Sequence, residues 1–142
     1  LVVIERTNVR YVMPEDLGEP LDLSVIDVSF ISLKIVLPVI KTFLKSTGQV
    51  VCLIKPQFEA GRAALSKRGV VKNPKDHVRV LQTLQRFWSE KGYAMSFLSW
   101  SPIVGGEGNI EFLAVLRYSD TAQTATIDIR EVVERAHITL KK

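Results

Sequence analysis

Asp-Leu-Ser-Val-Ile-Asp-Val-Ser-Phe-Ile-Ser-Leu, residues 22–33, is the stretch whose reading decides the fold. An apolar run through Leu23, Val25 and Ile26 stops on Asp27. A Ser and a Phe follow, and a helical pattern then begins. A buried parallel strand delivers a carboxylate to the C-terminal edge of an α/β sheet in this way, and ligands bind in the crevice at that edge. A second stretch does the same with a cation: Val50-Val51-Cys52-Leu53-Ile54 runs into Lys55-Pro56. In a third, Glu111 opens the run Phe112-Leu113-Ala114-Val115-Leu116. Asp27, Lys55 and Glu111 are therefore expected to share one site.

Outward from these stretches, residues 1–5 read as a short apolar strand, and Pro14-Glu15-Asp16-Leu17 as one helical turn with acids at its start. Residues 22–27 form the next strand. Leu33, Val36, Leu37, Ile40, Phe43 and Leu44 recur at three- and four-residue spacing and predict a helix over 32–45, with Ser32 as N-cap. Pro38 inside it should kink or split that helix. Gly48 ends the segment, and 49–55 is a strand apolar throughout, as when both faces of a sheet are covered.

Residues 56–73 read as a long basic loop. A helix follows over about 75–91, with Val78, Leu81, Leu84, Gln85 and Trp88 on its core face and Gly92 as its stop. Tyr93 to Trp100 make a strand, Ser101 to Asn109 a glycine-rich loop, and 110–118 a last strand. A domain over 1–118 is then followed by a polar linker at 119–127. The segment 128–142 carries a helix through Ile129, Val132, Val133, Ala136 and Leu140.

Strands alternating with helices and closing on two successive strands predict an α/β fold: a mostly parallel sheet with an antiparallel edge pair, in the manner of Rossmann-like methyltransferases. Such a sheet needs two more strands before residue 1. The chain opens on Leu1 rather than Met, and reads as the second half of such a domain, cut from a longer protein.

The 142 residues are 46% hydrophobic and 24% charged, a globular composition, and no apolar run reaches the ~18 residues of a membrane span. The net charge of +4 leans towards an anionic partner. Cys52, the one cysteine, cannot form an internal disulfide, which fits a reducing compartment, and reads as a buried structural thiol.

Each candidate site residue has a plainer reading. Asp27 could cap the next helix, Lys55 could snorkel to solvent, and Glu111 could be an ordinary edge carboxylate. Together they read better, because carboxylates beside a partly desolvated lysine can orient it and hold the charge it gains on taking a proton. The grouping requires the strand after Glu111 to be antiparallel. Asn8 and Arg10 could bind a ligand's base or carboxylate, or be solvated. Arg62, Lys67, Arg68 and Lys72 could grip phosphates or simply face water. His77 and His137 have no metal-ligand spacing and read as surface or core residues, and no metal is expected. Trp88 and Trp100 read as core. Gly105-Gly106-Glu107-Gly108 does not lead from a strand into a helix, so it is no dinucleotide fingerprint.

Ile-Asp-Val-Ser-Phe-Ile-Ser-Leu (26–33), Leu-Ile-Lys-Pro-Gln-Phe-Glu-Ala-Gly (53–61) and Gly-Asn-Ile-Glu-Phe-Leu (108–113) resemble the TlyA family, often labelled haemolysins, among the FtsJ-like 2′-O-methyltransferases of ribosomal RNA. Glu-Arg-Thr-Asn-Val-Arg (5–10) and Lys-Arg-Gly-Val-Val-Lys-Asn-Pro (67–74) fit it too. The resemblance implies a Lys-Asp-Lys-Glu tetrad whose last three members fall on Asp27, Lys55 and Glu111. The first lysine, the glycine-rich S-adenosylmethionine loop and an S4-type RNA-binding domain have no counterpart in the chain. It further implies a cytoplasmic enzyme that methylates ribosomal RNA or ribosomal subunits. Asn8, Asp27 and Ser29 would contact S-adenosylmethionine, and the basic loop would contact RNA. The other classes weighed are a non-catalytic RNA-binding module of the same fold and a membrane-active haemolysin.

Overall fold

A computed structural model describes residues 21–27, 32–118 and 127–140. The expected strand at 1–5, the turn at 14–17, Asn8, Arg10, Ser29 and most of the 119–127 linker lie outside those residues. The order is β1 (Leu21–Ile26), α1 (Leu33–Lys41), β2 (Leu44–Ile54), α2 (Pro74–Glu90), β3 (Tyr93–Trp100), β4 (Phe112–Tyr118) and α3 (Ile129–Thr139). Short 3-10 turns stand at Pro56–Phe58, Arg62–Ala64 and Gly106–Gly108.

The four strands lie in the order β1-β2-β4-β3. β1 runs parallel to β2, and β4 is antiparallel to both of its neighbours, so β3 again shares the direction of β1 and β2. The α/β class with an antiparallel pair at the edge is as the sequence predicts. In detail, the reversed strand is β4, slotted between β2 and β3, with β3 outermost. A register shift between Met95 and Phe97 lets Met95 and Leu98 both turn into the core, while Phe97 faces away.

One face of this sheet carries the core. Ile26, Val50, Cys52, Ile54, Phe112, Ala114 and Leu116 join Leu33, Val36, Leu37 and Ile40 of α1, Val80, Leu81, Leu84 and Trp88 of α2, and Ile129, Val133 and Ala136 of α3 in one buried cluster. The C-terminal helix thus packs on the same core as the rest. Every other strand residue faces it, as the two-residue period requires.

Helix α1 begins where expected: the Ser32 side chain accepts from the Lys34 amide at 3.1 Å. It ends earlier, at Lys41, and β2 starts at Leu44, so Gly48 lies inside the strand rather than stopping a helix. Phe43 and Leu44 extend the helical spacing because both are buried, but a turn and a strand bury them. Pro38 neither ends nor divides α1, which runs through it as one element. Helix α2 has Asn73 as its N-cap, Pro74 in its first turn and Gly92 just beyond its end in the left-handed region, φ 86°. Leu81, Leu84 and Trp88 are buried as expected; His77 and Val80 join them, while Val78 and Gln85 are half-buried.

Candidate active site

Pairing register brings the three expected residues to one edge. Ile26 lies beside Cys52 in the parallel pair, and Ile54 opposite Phe112 in the antiparallel one. Asp27 and Lys55 therefore leave the C-terminal ends of β1 and β2, where Glu111 enters β4. The antiparallel direction on which the grouping depended is met. Lys55 is tucked in, with 14% of its side chain exposed, and its Nζ lies 2.5 Å from Asp27 Oδ1. Asp27 stays open, 63% exposed. The arrangement is a shielded cation held by a carboxylate whose other side is free to meet a ligand. Glu111 is buried, and its Oε2 accepts from Gln57 Nε2 at 2.9 Å. A Cβ on Gly105 would overlap that carboxylate, so the loop backbone closes directly over it.

The loops that frame this edge are tied down by polar side chains. Glu59 reaches from the loop after β2 to the start of α1. Its Oε2 accepts from Ser32 Oγ at 2.7 Å and its Oε1 from the Leu33 amide at 2.8 Å. A carboxylate suits the unpaired amides at a helix start. Burial nevertheless pushes the Glu59 carboxyl above its usual range, against the pull of those two hydrogen bonds. Burial first, and the Glu59 charge second, push the Cys52 thiol up to about 12, which makes it an inert core group.

Asn109 ties the glycine-rich loop to the basic one. Its Oδ1 accepts from the Val71 amide at 3.0 Å, and its Nδ2 donates to the carbonyls of Gly69 and Gly106 at 3.1 and 3.0 Å. The carbonyl of the same residue is held by His77, whose Nε2 lies 2.9 Å from it. A carbonyl only accepts, so Nε2 carries the proton and the neutral ring's Nδ1 is an acceptor. The 2.7 Å contact of that Nδ1 with His137 Nε2 then makes His137 the donor. Burial, with His137 facing it, pushes His77 down to about 4, and burial lowers His137 as well.

The stretch expected as a long loop is therefore shaped. It holds two 3-10 turns and a bridge pairing Leu65 with Val71, with Val70 and Val71 buried. Its cations point outward: Arg62, Lys67, Arg68 and Lys72 are all exposed. Trp88 is core, Trp100 is partly buried against it, and the two histidines form the pair above. Among the described residues, no three His, Cys, Asp or Glu side chains gather as a metal-ion site, and no helix is long and apolar enough to cross a membrane.

Residues 1–118 match the family model of the FtsJ-like methyltransferases. The chain belongs to that family. Its relatives include a Bacillus subtilis (strain 168) protein named rRNA methyltransferase YqxC, 47% identical over 148 residues, which cover 100% of this chain and 52% of YqxC. The Mycobacterium tuberculosis (strain ATCC 25618 / H37Rv) protein named 16S/23S rRNA (cytidine-2′-O)-methyltransferase TlyA is 36% identical over 136 residues, 96% of this chain and 51% of TlyA. A solved structure described as a hemolysin from Streptococcus thermophilus superposes with a TM-score of 0.90 at 43% identity, over 96% of this chain and 50% of that one. The chain thus spans about half the length of the curated relatives it matches. As an FtsJ-like chain it carries its ionisable cluster where the parallel strands end. Gln57 and Glu59 go unnoticed in a reading for charge at strand ends, although both fall in the stretch 53–61 that carries the resemblance.

Proposed function

We propose that this chain forms the catalytic edge of an S-adenosylmethionine-dependent methyltransferase that modifies ribose 2′-hydroxyls of ribosomal RNA, in free RNA or in ribosomal subunits of the cytoplasm. The observation that carries the reading is the shielded Lys55 paired with the open Asp27, with Glu111 at the same sheet edge. A ribose hydroxyl is a poor nucleophile until its proton leaves, and a half-buried amine at a strand end is a means of taking it. The names of YqxC and TlyA support ribosomal RNA as the substrate, and that of TlyA supports the 2′-oxygen.

The described residues fit one end of the cofactor. An exposed carboxylate at the C-terminal end of a parallel strand suits a cationic sulfonium, and Asp27 supplies it. Asn8 and Ser29 are the further contacts we propose. When bound, S-adenosylmethionine supplies an electrophilic methyl group. The chain's own residues do the rest: Lys55 Nζ, having given its own proton to solvent, accepts the hydroxyl proton as the free amine, Asp27 keeps the lysine directed at it, and Glu111 accepts a hydrogen bond that orients the hydroxyl. Arg62, Lys67, Arg68 and Lys72 line one exposed loop and would hold the phosphates on either side.

The test is transfer of tritiated methyl groups from S-adenosylmethionine to unmodified ribosomal subunits by the full-length protein. Lys55→Ala should lower turnover by ~10²–10⁴ while leaving cofactor affinity nearly intact. Undiminished transfer by that variant would refute the base. A full-length protein that binds the subunits without transferring methyl would make the chain part of a binding module.

A further inference from the structure

Two side-chain amides, buried Asn109 and half-buried Gln57, hold the loops around Glu111, and they are satisfied unequally. Asn109 uses both ends of its side chain, in three hydrogen bonds. It does what a structural amide does. Gln57 uses one end. Its Nε2 donates to Glu111 Oε2, while its Oε1 is buried and meets no hydrogen-bond partner among the described residues. An idle buried acceptor costs the fold about as much as the single bond returns, so stability alone gives little reason for an amide beside Glu111. Exchanging the amide's oxygen and nitrogen does not remove the problem. The exchange would set the Gln57 oxygen against a carboxylate oxygen, two acceptors with no proton between them.

Gly105 packs against the same carboxylate, since any Cβ there would overlap it. The Gln57 amide and the Gly105 backbone thus both meet Glu111 at Oε2 and restrict how it can turn. Gln57 lies on the 3-10 turn Pro56–Phe58, two residues after Lys55. One rigid turn thus sets the position of the lysine and of the donor that holds Glu111.

We propose that Gln57 is a positioning residue for methyl transfer, acting through Glu111: it fixes the carboxylate at the angle from which it meets the substrate hydroxyl. The proposal rests on the roles given above to Lys55 and Glu111.

Single-turnover methyl transfer by the full-length protein tests it, with KM for RNA, cofactor affinity by titration and Tm measured alongside. Gln57→Ala should lower the transfer rate roughly 10- to 100-fold. KM and cofactor affinity should stay within about twofold, and Tm should change little, because removal of the idle acceptor offsets the hydrogen bond that Glu111 loses. Added to Glu111→Gln, the same substitution should cost no more than about a further twofold, since both act on one group. Full activity of Gln57→Ala beside an impaired Glu111→Gln would overturn the proposal. So would losses that multiply in the double variant, or a Tm that falls in step with activity. If Lys55→Ala and Glu111→Gln both keep full transfer, the underlying reading falls and takes this inference with it.

Discussion

The two faces of the sheet are both apolar, yet the described residues cover only one. On the first, Ile26, Val50, Cys52, Ile54, Phe112, Ala114 and Leu116 are buried under all three described helices. On the second, Leu23, Val25 and Phe97 are 53, 71 and 53% exposed, and Val51, Leu53, Leu113 and Val115 are half-buried. The same strands supply both faces, with alternate residues turned each way. A mixed sheet whose strands are apolar on both faces is built to carry a layer on each side, and an apolar face of this extent asks for one. The covered face makes the chain fold, and the open one marks where a second layer belongs.

Substitutions should separate the faces, and the largest effect belongs to the covered one. Phe112→Ala, at the centre of the core, should cost about 3–5 kcal/mol in urea denaturation. A much smaller loss would mean that the helices pack more loosely than the buried cluster implies. Acid should also attack the covered side selectively, through His77. Its folded value of about 4 lies below the usual 6.5, so the unfolded chain binds the proton more readily. The stability held by the neutral ring is complete above pH ~6.5 and is lost as the pH falls towards 4, on the order of 3 kcal/mol in all. His77→Phe should flatten the dependence of Tm on pH in that window, and an unchanged slope would refute the account of the pair.

Asn109→Ala should cost about 1–3 kcal/mol, because it strands the Val71 amide and the Gly69 carbonyl, while the Gly106 carbonyl keeps the Asn109 backbone amide. Hydrogen exchange at Val71 should quicken, while that in β3 stays slow. The smallest effect belongs to the open face. Val25→Ser should change the stability of this chain by no more than ~0.5 kcal/mol. In the full-length protein a second layer would raise that cost severalfold, and an equally small effect in both would show the face to be a true solvent surface.

Much of this was legible because strands and their ends write simple patterns. The run from Tyr93 to Trp100 and the polar residues terminating apolar runs at Asp27 and Lys55 needed only periodicity and a change of polarity. The boundary between α1 and β2 was not legible, because burial of Phe43 and Leu44 continues the helical spacing across a turn. His77 could be placed on a helix but not in its bond to His137, 60 residues away, since such a contact exists only after packing. Gln57, Glu59 and Asn109 escaped for the same reason: an uncharged amide or a loop carboxylate acquires its role from what the fold sets beside it.

The most direct test of the site is the identity of the methylated nucleoside. Ribosomal RNA treated with the full-length protein and labelled S-adenosylmethionine would be digested to nucleosides and read by mass spectrometry, beside a Lys55→Ala control. The account predicts label on the ribose 2′-oxygen, and its loss in the variant. Label on a base, or ribose label that survives Lys55→Ala, would contradict it.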